Sequence, residues 1–426
     1  MNPNNTCVLA DGPFDLCALP DDVLFQVMKH TEKVSSIRQA SRDMLAATDR
    51  VKDSLRISRD MPHPLVASLF ARIPNLHTLC LKHQLHDEDH EFDLNLLAAC
   101  SFLTRLDLSG CNVDNLDPLS SLTTLKSLEM FSYDEPAREI NLGPLSTLTG
   151  LEDLTLDGCN VLDLHPLSPL TGLKNLNLYK GTVNDLSPLS TLTNLEILNL
   201  SHCPVSDLSP LSALFGLKIL NLPNCMVSDL FPLSALSGLE VLDLSNCPVS
   251  DLSPLSALSG LVYLYLSSCK DVIDLRPLST LTGLRYLYIS SCTEVVDLRP
   301  LEALTALEDL DLSYCRLVVD FRPLGSLTML QRLNLGVCLI ADLSPLATLT
   351  TLEDLDIWKC DLVHNLGPLA SCKALRTINL RFCDKITDIS PLDSRGIDID
   401  LLDVELWGCP ELQLAIRSNS HYMSYT

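Results

Sequence analysis

Leucine recurs along this chain in one pattern, L-x-x-L-x-L-x-x-C or a close variant, between Leu76 and Cys409. The pattern returns fifteen times with a step of 22 or 23 residues, except at three insertions. A short fixed period is typical of a solenoid, in which each unit buries its apolar side only against its neighbours. The sequence therefore predicts one long repeat domain whose function lies on its surface.

The unit that begins at Leu239 shows how one repeat is predicted to fold. Leu242 and Leu244 alternate with residues that point outward, and a period of two is typical of a short strand. Successive strands should pair in parallel about 4.8 Å apart, so the array is expected to form an arc about 70 Å long.

A serine-proline pair follows the strand in five repeats, as in Ser253-Pro254. Serine is favoured at a helix N-cap and proline at the first helical position, so the pair predicts a short helix on the convex side with serine as its cap. Leu255 and Leu258 follow at the three-residue spacing of a single turn, and both are predicted to point into the core.

Aspartate recurs two residues before these short helices. Because stacked carboxylates repel unless backbone N–H groups hold them, we interpret this column as turn caps rather than as a calcium-binding ladder. One carboxylate per unit without adjacent oxygen ligands makes a poor cation cage. The ten members are Asp163, Asp185, Asp207, Asp229, Asp251, Asp274, Asp297, Asp320, Asp342 and Asp388.

Cysteine forms a second column, which holds twelve of the 17 cysteines in the chain. We predict that these thiols are structural, reduced and buried, each filling its space with a weak donor. Such usage fits a reducing compartment. The members are Cys111, Cys159, Cys203, Cys225, Cys247, Cys269, Cys292, Cys315, Cys338, Cys360, Cys383 and Cys409.

The segment Val249–Leu261 resembles the 22-residue leucine-rich repeats of the internalin class. Cysteine stands where that class has asparagine, which resembles the cysteine-containing repeats that often accompany F-boxes. The resemblance implies an α/β solenoid, a leucine-rich repeat arc with a parallel concave sheet and short convex 3-10 or helical turns, preceded by a small helical N-terminal domain. We predict a flexible terminus at 1–17, an F-box-like helical segment at 18–60, a connector or cap at 61–75, the solenoid at 76–409 and a C-terminal cap or tail at 410–426.

The N-terminal segment resembles an F-box in its Leu19-Pro20 opening and in the spacing of Leu24 and Met28. F-boxes dock on a Skp-type adaptor of cullin–RING ubiquitin ligases, so the resemblance implies that these four residues contact such an adaptor. The alternative is a helical cap that only shields the open end of the solenoid.

A net charge of −24 argues against binding to a nucleic-acid backbone or to an anionic membrane surface. We find no signal peptide, no membrane span and no motif of an enzyme active site, and therefore expect an intracellular, cytoplasmic protein with neither catalytic activity nor cofactor. The insertions at 83–91 and 132–139 could contact partners. His83, His86, Asp87, Asp89, His90 and Glu91 in the first could hold a metal, although a solvated acidic loop is the simpler interpretation.

The predicted concave face carries a column of acids and amides between the two inner leucines of each repeat. Tyr265 and Tyr288 interrupt it on two neighbouring strands, and two further tyrosines stand two residues before them. We predict that the four form an anchor patch for a partner together with nearby acids and aromatics. Cross-strand stacking that only stiffens the sheet is the alternative. The predicted partner-binding residues are Tyr263, Tyr265, Tyr286, Tyr288, Asp309, Asp311 and Tyr314, with Trp358, Phe382 and Trp407 as aromatics that repeat at one later slot.

We therefore predict a protein–protein interaction module, an F-box-like adaptor that links a protein bound on the arc to a ubiquitin ligase. The partner should present a basic or hydrogen-bonding surface to the concave face. A scaffold without a ligase link is the alternative, and an internalin-like surface adhesin would need a signal peptide and an anchor that we do not find.

Overall fold

The computed structural model describes residues 93–111, 113, 115–132 and 139–393, with the shorter pieces 14–15, 54–58, 66, 70, 73, 75–82 and 403–405. The chain divides into two compact units, Met1–Ile197 and Leu198–Thr426. Leu19, Pro20, Leu24, Met28 and Trp407 lie outside the described residues, as do the candidate metal ligands at 83–91.

In the first unit, each described strand pairs in parallel with the next along the chain. Pairing in sequence order is what stacked repeats require, because each unit can bury its apolar side only against its neighbours. These strands are β1 (Phe14–Asp15), β2 (Ser54–Ser58), β3 (Thr78–Lys82), β4 (Arg105–Asp107), β5 (Ser127–Phe131), β6 (Asp153–Asp157) and β7 (Asn175–Asn177). Strand β8 (Ile197–Asn199) contains the division between the units.

The second unit repeats the arrangement with an unbroken register, so that Leu242, Leu264 and Leu287 occupy equivalent places on successive strands. All pairs from β9 to β17 are parallel. These strands are β9 (Ile219–Asn221), β10 (Val241–Asp243), β11 (Tyr263–Tyr265), β12 (Tyr286–Tyr288), β13 (Asp309–Asp311), β14 (Arg332–Asn334), β15 (Asp354–Asp356), β16 (Thr377–Asn379) and β17 (Asp403–Glu405).

A 3-10 helix lies between each pair of successive strands from β3 to β16, as predicted, and the last described helix is a short α-helix, Ser390–Asp393. In the first unit the 3-10 helices are Leu94–Ala99, Asp117–Ser121, Gly143–Thr147, His165–Leu167 and Ser187–Thr191. In the second unit they are Ser209–Ala213, Phe231–Ala235, Ser253–Ala257, Arg276–Thr280, Arg299–Ala303, Arg322–Ser326, Ser344–Thr348 and Gly367–Ser371.

The predicted cap of these helices is wrong by one residue. Leu252 is the N-cap of the helix Ser253–Ala257 and makes no side-chain capping bond, so Ser253 is the first helical residue and Pro254 the second. The carboxylate of Asp251 supplies the missing acceptor, since its Oδ1 accepts the N–H of Ser253 at 2.8 Å. All ten aspartates of the column accept the N–H two residues ahead in this way, which confirms the prediction of turn caps.

Leucine fills the core of every described repeat, and Leu242, Leu244, Leu255 and Leu258 are all fully buried. The cysteine column lies beside these leucines and links successive repeats. In eight repeats of the second unit the Sγ–H donates to a main-chain oxygen of the preceding repeat, at 3.0 to 3.2 Å, as from Cys247 to Leu222. These eight thiols are buried and hydrogen-bonded, as the sequence predicted, whereas Cys111 is only partly buried and Cys409 lies outside the described residues.

Burial also controls the acidity of these thiols. It raises the pKa of Cys247 to about 11 and that of Cys225 and Cys269 to about 12, because a thiolate would lose its hydration among the leucines. A thiol that stays protonated at neutral pH is a poor nucleophile. The column is consequently suited to packing rather than to chemistry.

The residue before each cysteine of the column from Cys111 to Cys383 has a left-handed backbone, which the sequence pattern did not reveal. Most positions carry residues that tolerate it, such as Asn224 and Asn246, with φ of 61° and 59°. Val337 is the exception, since a β-branched residue at φ 64° is strained. Tyr314 and Phe382 share this position at φ 63° and 62°, so their rings project from a sharp turn.

Candidate functional site

The column of acids and amides between the inner leucines has a structural role that sequence reasoning missed. In eight described repeats the side-chain oxygen accepts the N–H two residues ahead, which closes the turn at the end of the strand. The pairs are Asp107 with Ser109, Asn177 with Tyr179, Asn199 with Ser201, Asp243 with Ser245, Asp311 with Ser313, Asn334 with Gly336, Asp356 with Trp358 and Asn379 with Arg381. Most of the column is therefore explained by folding alone.

Tyr265 and Tyr288 stand in this capping column, and a phenol cannot replace the short side-chain oxygen. Their rings stack in parallel with centroids 4.8 Å apart, and the rings of Tyr263 and Tyr286 stack in the same way at 4.2 Å. All four are half-buried on the sheet face opposite the leucine core. We call these four residues the tyrosine face, and the structure brings them together as the sequence predicted.

Two ion pairs hold the hydroxyls of the tyrosine face. Tyr288 donates to Asp309 Oδ2 at 2.9 Å, and the same oxygen accepts Nε–H of Arg332 at 2.7 Å. Tyr286 donates to Glu308 Oε2 at 3.3 Å, while Glu308 also accepts from Arg285, whose guanidinium lies 5.9 Å from the Tyr286 ring centre. The rings of Tyr286 and Tyr288 are thereby fixed at both the plane and the hydroxyl, which limits the entropy lost when a partner binds.

Burial changes the pKa values of several side chains on this surface. Desolvation raises the pKa of Tyr265 and of Tyr288, and for Tyr288 the hydrogen bond to Asp309 adds to the effect. Desolvation also raises the pKa of Asp311, against the lowering by its bond to Ser313. Asp309 is only 8% exposed, so it orients Tyr288 and Arg332 and offers little surface of its own to a partner.

A pocket of about 360 Å³ opens beside Tyr288 on the same sheet face. Its lining includes the carboxylates of Asp309, Asp311, Asp354 and Asp356, with Arg332 as the cation among them. Arg332 lies opposite Asp354 in the strand register but turns to Asp309 on the other side. Among the described residues no hydrogen bond or ion pair engages the carboxylate of Asp354, so the pocket keeps an excess of negative charge.

A second group of aromatics continues from Tyr314 to Trp358 and Phe382. The ring centres of Tyr314 and Trp358 are 6.0 Å apart, and Phe382 meets Trp358 edge-on at 6.2 Å. The prediction that Trp358 and Phe382 occupy one slot is wrong, because Phe382 takes the left-handed position and Arg381 corresponds to Trp358. Trp358 and Phe382 come from adjacent slots of neighbouring repeats, whereas Tyr314 meets Trp358 across the repeat between them, which has Gly336 at the slot of Trp358.

The other predicted sites fall largely outside the described residues. These include the loop at 83–91, residues 133–138 of the second insertion and the adaptor-binding residues at 19–28. Within the residues that the structure describes, no group of three His, Cys, Asp or Glu side chains is arranged to hold a metal ion. None of the described helices has the length and apolarity that crossing a bilayer requires.

Comparison with protein families identifies the repeat. The Leucine Rich repeat profile matches residues 99–116 and 191–208, and the two-copy Leucine Rich repeats profile matches 216–257. Neither profile covers the F-box-like segment at 18–60. A comparison with curated proteins found no match.

Solved structures with the same architecture include an internalin from Listeria monocytogenes, with 29% sequence identity and a TM-score of 0.64 over 74% of this chain and 88% of the internalin. A leucine-rich repeat protein from Leptospira interrogans has 17% identity and a TM-score of 0.70, over 84% and 90% of the two chains. The functional domain of InlJ from Listeria monocytogenes, which includes a cysteine ladder, has 19% identity and a TM-score of 0.56, over 78% and 74%.

These similarities confirm that the repeats are leucine-rich repeats, as their resemblance to the internalin class implied. The leucine-rich repeat fold is typical of protein–protein interaction modules. A module of this kind uses its fixed scaffold to present side chains that vary from repeat to repeat.

Proposed function

We propose that this chain is a protein-interaction module that binds a basic segment of a partner protein on its tyrosine face. One observation carries the proposal: Tyr265 and Tyr288 replace a capping oxygen that eight other repeats keep. The chain gives up two turn-closing hydrogen bonds at these positions, and folding does not require the exchange. Tyrosine is enriched at binding hot spots because it offers a large contact area with few rotamers.

The charge around the tyrosine face supports a basic partner. The neighbouring pocket has four carboxylates against one guanidinium, and Asp354 has no cation within bonding distance among the described residues. A lysine or arginine side chain from the partner would supply that charge, and its stem could lie on the Tyr265 and Tyr288 rings. The net charge of −24 also steers a basic partner toward this chain.

The aromatics Tyr314, Trp358 and Phe382 extend the proposed surface across the next repeats. Tyr314 and Phe382 are exposed, which is unusual for large rings on a polar surface. Asp309 and Asp311 support this surface from beneath. Asp309 positions Tyr288, and Asp311 caps a turn. Trp407 remains a prediction from the sequence.

Replacing Tyr265 and Tyr288 by a residue that can cap the turn tests the proposal, because the turn-closing hydrogen bond is then available. In the variant Tyr265→Asn with Tyr288→Asn, each asparagine can close its turn as Asn334 does, so the chain should fold. We expect affinity for a partner recovered by affinity capture to fall more than about tenfold, a change of roughly 1.4 kcal/mol or more. Isothermal titration calorimetry gives the affinity, and thermal unfolding monitors the fold.

The matched control removes two exposed rings elsewhere, Phe215→Ala with Phe231→Ala. This variant should bind as tightly as the parent. Asp354→Asn should weaken binding chiefly through the association rate and the salt dependence, because it removes a charge and no contact area. A partner that binds the double asparagine variant as tightly as the parent would place recognition elsewhere.

We also propose that the segment at 18–60 links the bound partner to a Skp-type adaptor in the cytoplasm. The support is the sequence resemblance alone, through Leu19, Pro20, Leu24 and Met28. A pull-down that compares the whole chain with a chain beginning at Pro62 tests it. Recovery of the adaptor only with the whole chain, and its loss in Leu19→Ala with Pro20→Ala, is the expected result. If the whole chain recovers no adaptor, the segment is a cap and the protein is a scaffold without a ligase link.

A further inference from the structure

Three consecutive repeats of the second unit carry an exposed apolar side chain just before the capping aspartate. These are Ile273, Val296 and Val319, and 64%, 50% and 73% of their surface is exposed. The equivalent residues of the preceding repeats are Ser206, Ser228 and Ser250. We call Ile273, Val296 and Val319 the apolar ridge.

The same three repeats carry arginine at the first position of the 3-10 helix, where the repeats on either side have Ser253 and Ser344. Arg276, Arg299 and Arg322 form this arginine row, with between 77% and 84% of each side chain exposed. Each guanidinium binds the carboxylate of the aspartate two residues before it. Its Nε and Nη2 atoms lie 2.6 to 2.9 Å from the nearer carboxylate oxygen. A guanidinium has five N–H donors, so this arrangement fixes the group and leaves its Nη1 edge for another acceptor.

Folding does not account for either feature. The aspartate closes its turn equally well in both kinds of repeat, with Asp251 accepting from Ser253 at 2.8 Å and Asp274 from Arg276 at 2.9 Å. An exposed ion pair between near neighbours contributes at most about 1 kcal/mol. An isoleucine or valine left in water contributes less than it would in the core.

The two features form one continuous surface. Strands β11, β12 and β13 pair in register, and the helices Arg276–Thr280, Arg299–Ala303 and Arg322–Ser326 pack one beside the next. The apolar ridge lies three residues before the arginine row in each repeat, so an apolar line and a basic line run side by side. Exposed apolar residues that line up across repeats and border on charge are typical of a binding surface.

The geometry points to the apolar ridge and the arginine row as a docking surface for an acidic segment of a partner protein, one that also carries β-branched or aliphatic side chains. The aliphatic side chains cover the ridge, and the carboxylates accept the Nη1 N–H groups of the row. A second copy of this chain is disfavoured because each copy carries a net charge of −24. A nucleic acid is disfavoured because its phosphates gain nothing from the apolar ridge.

A synthetic peptide in which glutamate and valine alternate is a suitable probe, with two matched peptides that alternate lysine with valine and glutamate with serine. Fluorescence anisotropy of the labelled peptides measures binding to the full chain. The test variants introduce the serine found in neighbouring repeats: Ile273→Ser with Val296→Ser and Val319→Ser, and Arg276→Ser with Arg299→Ser and Arg322→Ser. Both should fold, because serine already occupies these places in neighbouring repeats.

We expect the glutamate-valine peptide to bind and each triple variant to weaken it about tenfold or more, with salt dependence lost mainly in the arginine variant. Neither matched peptide should bind comparably. Tyr265→Asn with Tyr288→Asn should leave this binding unchanged, which separates the surface from the tyrosine face. Equal affinity for the lysine-valine peptide, binding that survives both triple variants, or no binding up to about 1 mM would overturn the proposal. So would a dimer in sedimentation that either triple variant dissociates, because the occupant would then be a second copy.

Discussion

Removal of one thiol from the cysteine column should measure how strongly the repeats are joined. Cys247 is buried, and its Sγ–H donates to the main-chain oxygen of Leu222 at 3.1 Å. Cys247→Ala deletes one heavy atom, for which lost burial costs about 0.8 kcal/mol. The residual cavity of about 25 Å³ adds about 0.6 kcal/mol at about 24 cal/mol per Å³. The weak S–H···O bond adds about 0.5 kcal/mol, so we expect a total near 2 kcal/mol.

Cys247→Ser distinguishes packing from hydrogen bonding at the same site. The main-chain oxygen of Leu222 accepts the N–H of Cys225 and also the thiol of Cys247, so it can accept the hydroxyl of a serine at position 247. A serine that donates there avoids the penalty for a buried unpaired hydroxyl, although it packs less well than sulfur. We therefore expect serine to cost less than alanine, about 1 kcal/mol.

Urea unfolding followed by circular dichroism gives both free energies, with the exposed Ser250→Ala as the control. The slope with urea must stay constant for the comparison to hold, because repeat arrays can lose cooperativity. If serine costs more than alanine, the hydroxyl is unpaired and the column is not joined by donation to the preceding repeat. If alanine costs nothing, the thiols do not pack as the structure indicates.

Three further perturbations follow from single residues. The free energy of unfolding should fall as pH rises above about 8.5, where the thiols of the unfolded chain ionise. Burial raises the pKa of Cys225 and Cys269 to about 12, so the folded state keeps their protons. If this is wrong, urea titrations between pH 8 and about 10 would show no change in the free energy of unfolding. Lys359→Asn should raise the free energy of unfolding by about 1 kcal/mol, because Lys359 is exposed and asparagine tolerates its left-handed backbone at φ 54° better than lysine does, and an unchanged melting temperature would contradict that. Asp251→Ala should cost about 1 kcal/mol through the lost turn cap, against no measurable change for Ser250→Ala.

Periodicity in the sequence was sufficient to predict the strands, the 3-10 turns, the leucine core and the aspartate caps. Each of these depends on contacts within one repeat or with the next, so the residues that make them recur at a fixed spacing. The position of the helix cap was missed because serine is a frequent N-cap, whereas here Asp251 accepts the N–H of Ser253 and the helix begins at the serine itself. Local propensity does not show at which of two neighbouring residues a short helix begins.

The sequence was less informative about the surface. It placed Tyr263, Tyr265, Tyr286 and Tyr288 side by side, because register follows directly from the period. It could not show that Asp243 and its equivalents close turns, since that depends on the direction in which the side chain bends. It also gave no reason to single out the arginine row, whose exposure follows only from the path of the backbone.

The repeats of an array can be compared with one another to find functional residues, because every repeat has the same structural requirements. A residue that departs from its column without a structural gain is therefore explained best by something outside the fold. Tyr288 and Arg276 meet that condition on different surfaces of one unit, the first beside uncompensated carboxylates and the second in a row of guanidinium groups. The two surfaces would select partners of opposite charge, so a basic and an acidic ligand should bind together without competition. Mutual exclusion in a titration with both ligands would show that the two surfaces act as one site.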